Sequence, residues 1–290
     1  MAFSSVLFLL LSVSAYCIWS LGSDNAKEQQ QSLEYYATST FVPPMALLAF
    51  RVICALIIWS LNAFLLFDSG GLKLDVQMRD GSNKKVLLRH GERFTPFTVW
   101  CWVCQGLYFG LAVFLSLSHE GYVELKQYTN LLPHFKVAAH ILFEISFSTA
   151  YLVSAVVTYV LIPATIKRKL PLDNFFMTLP KIMHNANVVF IAVELVLNKV
   201  DFKFGHHAFL LVYAMAYVVF AWGWFEVKGL FYYFFLDYVR PDALAWHVAL
   251  LVLLLACFGA GYLASTAIHA GNVPATAALL IGTFLVIKVK

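Results

Sequence analysis

Six long apolar runs, at 45–67, 97–117, 135–162, 177–198, 207–225 and 243–264, divide this chain, each close to the ~20 residues that a hydrocarbon layer requires. A run of that length has no water for its amides inside a bilayer, so it closes its backbone hydrogen bonds as an α-helix. With 61% hydrophobic residues, 12% charged residues and a mean hydropathy of +0.77, the 290-residue chain carries more apolar surface than a water-soluble core can hide. The expected fold is all-α, a polytopic membrane helix bundle with six core transmembrane helices.

Two weaker apolar segments flank these six. Residues 1–21 read as a signal peptide or a membrane anchor, with an apolar stretch at 6–11 and no basic residue ahead of it. Residues 22–43 read as a polar, flexible linker with Gln29, Gln30 and Gln31, and residues 44–290 as a single transmembrane helix-bundle domain. The C-terminal run at 275–289 is short for a span, though Pro274 starts it well and Lys288 and Lys290 can snorkel.

Three of the six runs carry a polar stripe. Thr98, Gln105 and Ser116 fall within about 20° of one another on a helical wheel. His140, Glu144, Tyr151, Ser154 and Thr158 fall within about 80°, as do His184, Asn187, Glu194 and Asn198. Such stripes are costly against lipid, so they are expected to face one another and line a cavity inside the bundle.

Charge sets the orientation. Lys73, Arg79, Lys84, Lys85, Arg89 and Arg93 occupy one inter-run loop and Lys167, Arg168 and Lys169 another, so both are expected on the cytosolic side. The alternate loops hold only Lys126, and Lys199 with Lys203. The net charge of +4 is confined to such loops, which excludes a nucleic-acid footprint. All five cysteines lie in apolar runs and imply no disulfide framework, and the Cys101/Cys104 spacing has no redox context. Arg51, near the start of its run, reads as a snorkelling anchor at the outer interface, and His206 and His207 as an interfacial pair that needs further ligands to hold a metal.

With this orientation Thr98 lies roughly 5 Å and His184 roughly 10 Å below the cytosolic surface, from the 1.5 Å rise per residue. They can meet. Thr95 reads as an N-cap with Pro96 at the first helical position, which sets Thr98 in a first turn whose unpaired amides favour a negative oxygen. A Thr hydroxyl becomes nucleophilic when a neighbouring base takes its proton, and a desolvated neutral His is such a base. Gln105 and Asn187 are candidate substrate or oxyanion contacts. The bland alternative is a first-turn Thr and a hydrogen-bonded structural His. His140, Glu144 and Glu194 form a second polar group at the opposite end, read as a proton-sharing or metal-binding cluster or as a hydrogen-bond network tying two helices. No metal is assigned, and no cofactor. A haem held by His140, His184 or His247 requires two axial ligands at matched depth, and His140 and His184 fall in opposite halves.

Several of these segments resemble a known family. Phe97-Thr98-Val99-Trp100, Gln105, Phe109-Gly110 and Met183-His184 are similar to the androgen-induced and androgen-dependent TFPI-regulating membrane proteins. So is the ungapped block 217–237, with Tyr217, Trp224, Gly229, Tyr233 and Phe235-Leu236-Asp237. His184-Asn185-Ala186-Asn187, Glu194 and Leu197-Asn198 resemble the rolling-stone-like branch of that superfamily more closely. The resemblance covers residues 91–242. It implies a six-helix membrane hydrolase that cleaves fatty-acid esters of hydroxy fatty acids, with a Thr nucleophile and a His that fall on Thr98 and His184. Two motifs depart from the family: Pro180 and Lys181 replace an Asn-His pair, and Phe143-Glu144-Ile145-Ser146 replaces a Phe-Pro-Val-Gly turn. The lead expectation is a lipid esterase in the endoplasmic reticulum or plasma membrane, with membrane lipids and a lipid ester as its partners. The alternatives are a non-catalytic rolling-stone-like protein of adhesion, fusion or signalling, and a proton- or ion-coupled transporter using His140, Glu144 and Glu194.

Overall fold

The computed structural model describes residues 2–24, 31–78, 82–124, 128 and 130–287. Gln29, Gln30, Arg79, Lys126, Lys288, Val289 and Lys290, to which the sequence assigns a linker, loop charges or a chain end, lie outside the described residues.

The helices are α1 (Ala2–Asp24), α2 (Leu33–Ala37), α3 (Pro44–Phe67), α4 (Phe97–His119), α5 (Leu132–Val156), α6 (Ile162–Lys167), α7 (Asp173–Phe176), α8 (Thr178–Lys181), α9 (Asn187–Leu197), α10 (His207–Lys228), α11 (Ala243–His269) and α12 (Val273–Val286). Two π-helical segments, Val157–Leu161 and Ile182–Ala186, fuse α5 to α6 and α8 to α9. Seven of the resulting rods are long and apolar enough to cross a membrane, so the chain is an all-α, multi-pass bundle. Each of the six apolar runs forms one of them, and the seventh is the N-terminal segment Ala2–Gly22. That helix packs against α10 and α11, and its Tyr16 hydroxyl lies 2.6 Å from His207 Nε2. Outward faces carry large exposed apolar side chains such as Phe8, Ile53, Val219 and Leu263, the pattern of a surface solvated by lipid.

α5 packs against α4, α9, α10, α11 and α12 and is the hub of the bundle. Its small hydroxyl residues suit that position, because Ser148 and Thr149 donate to the carbonyls one turn back, both at 2.7 Å, and need no outside partner. Close approach of α3 and α4 depends on Gly106, where a Cβ would meet Ile58 Cγ2 at 2.8 Å, and the Trp59 indole N–H donates to the Gly106 carbonyl at 3.2 Å.

The basic loop after α3 contains an antiparallel hairpin, β1 (Leu72–Gln77) and β2 (Asn83–Leu88), with Leu72 opposite Leu88. Arg93 fastens it. Its guanidinium, 1% exposed, donates to the carbonyls of Leu65, Asp68 and Leu88 and to the Asp68 carboxylate, placing a cation on the C-terminal carbonyls of α3. Arg93 is therefore a structural staple as well as a loop charge.

At the opposite end, residues 31–42 depart from the expected flexible linker. α2 packs on α4, the Tyr36 carbonyl accepts a hydrogen bond from Arg51, the Gln31 carbonyl accepts one from Lys136, and the Tyr35 hydroxyl accepts one from the Asp201 amide.

Candidate functional site

α4 and the α8–α9 rod both begin at the hairpin end, and they bring Thr98 and His184 together. Thr98 Oγ1 lies 3.5 Å from His184 Nε2, and both residues are partly buried. This exceeds the 2.6–3.2 Å reach of a working general base, a separation that commonly tightens when substrate binds. α4 starts at Phe97 with Pro96 as its N-cap, and Pro96 offers no side-chain oxygen to the first-turn amides. Thr95 is not the N-cap: its hydroxyl donates back to the Glu92 carbonyl at 2.6 Å and lies 2.7 Å from the Tyr232 hydroxyl. The Tyr233 phenol instead lies beside this first turn, near Thr98 and Phe97. Burial pushes that phenol up to about 12, so it stays protonated and able to donate at neutral pH.

His184 sits in the middle of a π-helical turn, a feature that often marks functional positions. Neighbouring helices hold the turn through its carbonyls. The Ser154 hydroxyl donates to the His184 carbonyl, and Gln105 Nε2 donates to the Asn187 carbonyl at 2.8 Å. Asn187 Oδ1 accepts from the Val188 amide at 2.7 Å. Gln105 and Asn187 thus position the helix that carries His184, and neither side chain reaches its imidazole as the expected orienting or oxyanion group. His184 Nδ1 is buried without a hydrogen-bond partner among the described residues.

Thr98 also lines a cavity of about 130 Å³ whose walls come from α1, α4, α5, α10, α11 and the 233–236 segment. The walls are overwhelmingly apolar, with Leu10, Leu152, Val156, Leu211, Met215 and Leu254 among them. The polar exceptions are Thr98, Tyr217, Tyr233 and His247. His247 Nδ1 faces the Ala243 carbonyl at 2.8 Å and must donate there, which leaves Nε2 as a buried acceptor with no partner among the described residues. The second π-helical segment supplies Val157 and Leu161 to the same wall.

The polar stripes face inward as expected, with Gln105, Ser116, Glu144, Ser154 and Glu194 all 1% exposed or less. They do not line this cavity. Apart from Thr98 they bond to backbone and to other buried side chains, Arg51, Tyr108, His206 and Thr283 among them, and the cavity is walled by apolar residues.

The second predicted group separates into two. Glu194 pairs with Arg51, whose Nε and Nη2 donate to Oε1 at 3.0 and 2.6 Å. Tyr108 donates to the same oxygen at 2.6 Å, while Arg51 Nη1 donates to Ser116 at 2.8 Å. Arg51 is 1% exposed, so it is a buried ion-pair partner and not the interfacial anchor expected from its place in the run. Glu144 meets His140 at 3.3 Å and His206 at 2.5 Å. His206, read from the sequence as one of an interfacial pair with His207, joins Glu144 instead, because it precedes α10 in a short segment with no helical periodicity to reveal its face. Tyr233 entered the sequence reading only as part of the resembling block 217–237, with no role at Thr98.

Family models, curated proteins and solved structures yield no match to this chain, so its site is characterised by its own geometry.

Proposed function

We propose that this multi-pass membrane protein is a carboxylic-ester hydrolase acting on long-chain lipid esters, with Thr98 as nucleophile and His184 as general base. The observation that carries the reading is the Thr98 hydroxyl, 3.5 Å from an imidazole nitrogen on one side and lining an apolar cavity on the other. That cavity suits an acyl chain, and excluding water from it strengthens every hydrogen bond to a developing charge.

In the proposed reaction His184 Nε2 takes the Thr98 proton as Oγ1 bonds to the ester carbonyl carbon. The resulting oxyanion is stabilised by the first-turn amides of α4, which no N-cap side chain occupies, and by the nearby Tyr233 hydroxyl. Collapse breaks the carbon–alkoxy bond, and His184 returns the proton to the departing alcohol. Water, deprotonated by the same imidazole, then cleaves the acyl-Thr98 ester to release the fatty acid. His247 Nε2 offers a polar wall position for a hydroxyl or protonated carboxyl on the substrate.

The test is hydrolysis of fatty-acid esters of hydroxy fatty acids by purified wild type, Thr98→Ala, Thr98→Ser and His184→Ala, each checked for helical content and thermal unfolding. The expected result is loss of turnover by about 10³-fold or more in the two alanine variants and partial retention in the serine variant. Equal rates in all four, or no hydrolysis by wild type, would exclude the reading and favour a non-catalytic role.

A further inference from the structure

The end of the bundle away from Thr98 holds side chains that ester hydrolysis does not use. Glu144 is 1% exposed, and His140, one turn earlier on α5, is 0% exposed. His206, just before α10, is 7% exposed. One nitrogen or oxygen from each of the three lies within 4.8 Å of those of the other two. The two imidazole rings meet edge to face with centroids 5.0 Å apart.

We propose that His140, Glu144 and His206 bind a divalent transition-metal ion of the zinc class, which clamps α5 to the connection ahead of α10. Charge is the first support. Among the described residues the ion-pair partners of Glu144 are both histidines, which carry no permanent charge, whereas the equally buried Glu194 has a guanidinium. A divalent cation supplies what Glu144 otherwise lacks.

Ligand chemistry is the second. Two imidazole nitrogens and one carboxylate oxygen form a set that zinc uses, whereas calcium and magnesium take oxygen shells. Geometry agrees. Ligand atoms about 2.0–2.1 Å from a tetrahedral ion stand about 3.3 Å apart, which is the His140–Glu144 separation of 3.3 Å. His206 Nδ1 stands 2.5 Å from the other carboxylate oxygen, Oε2, so the carboxylate has to turn to present one oxygen to both imidazoles.

Outer contacts are built for the same purpose. The Lys203 amide donates to Glu144 Oε1 at 2.6 Å and turns the carboxylate, as metal-bound carboxylates are commonly held. The Asp201 carbonyl stands 2.9 Å from His140 Nε2 and offers a fourth donor atom beside the site.

The test uses full-length protein purified in detergent without chelator, analysed for metal by mass spectrometry, then stripped and titrated with Co²⁺ while the visible absorption of tetrahedral cobalt is followed. The expected result is about one ion per chain, displaced by Zn²⁺, with an unfolding temperature that falls on stripping and recovers on adding zinc. His206→Ala and Glu144→Gln should each weaken binding at least about tenfold, while Thr98→Ala and His184→Ala bind as wild type. Circular dichroism on each variant separates loss of ligand from loss of fold, and the wild-type titration stands if a variant misfolds. Wild type that carries no metal and gives no cobalt spectrum overturns the proposal. So does wild-type affinity in both ligand variants.

Discussion

The two ends of this bundle treat buried polar groups in opposite ways. At the α9 C-terminal end, Arg51, Tyr108, Ser116 and Asn198 gather about Glu194, while His140, His206 and the Lys203 amide gather about Glu144. At the hairpin end, Thr98 and His184 share one long contact, His184 Nδ1 and His247 Nε2 lack partners among the described residues, and an apolar cavity opens beside Thr98 and His247. Dense networks fix helices in place even where one oxygen, Glu194 Oε2, has no partner among the described residues, whereas unsatisfied groups beside empty volume are the ordinary mark of a surface kept for a ligand. One end holds the other in shape.

The sharpest way to break this contrast is Arg51→Ala. It strands a buried carboxylate and should cost about 3–5 kcal/mol, read as a large fall in thermal unfolding temperature. A loss below about 1 kcal/mol would mean that water reaches Glu194 and that the two ends are alike. Next is Gly261→Ala, where the new Cβ would lie 2.5 Å from the Phe202 ring and 2.9 Å from that of Phe147, so overpacking should cost about 1–3 kcal/mol.

The matching change at the other end is Val153→Leu, whose extra methylene enters the cavity. Stability should change by less than about 1 kcal/mol, while hydrolysis of the longest acyl chains falls first. Equal unfolding penalties at Gly261 and Val153 would remove the distinction. The smallest effect belongs to the surface pair Glu92–Lys228 at 2.7 Å. Its hydrogen bond with Lys228 holds Glu92 below its ordinary value of 4.5. The linked stability is therefore present above that value and lost as pH falls through the folded-state value. Both side chains are well exposed, so Lys228→Ala should cost less than about 1 kcal/mol and flatten the pH dependence only below about pH 5.

The spans are legible in the sequence because hydropathy and length alone decide them in a bilayer. Thr98 and His184 are legible as neighbours because both stand a few residues inside rods that start at the same end, so depth stands in for distance. Arg51 shows the limit of that inference. Its depth suggested an interface, but depth says nothing of which way a side chain turns, and Arg51 turns inward to Glu194. Gln105 and Asn187 show another limit. A polar residue on an inward face can serve a substrate or a backbone carbonyl, and only the packing of α4 on α9 reveals that Gln105 is taken by the Asn187 carbonyl. His206 escaped because its partners lie 62 and 66 positions away on α5 and meet it only through the fold.

The π-helical turn at Ile182–Ala186 carries a consequence of its own. Each such turn is in effect one inserted residue, so excising a single position there would restore ordinary winding and swing everything before it by about 100° relative to everything after it. His184 would sweep away from Thr98, yet Glu194, lying beyond the excision, would keep Arg51. Among descendants of this chain, a one-codon slip in that window would silence one end and spare the other, with no reactive side chain altered.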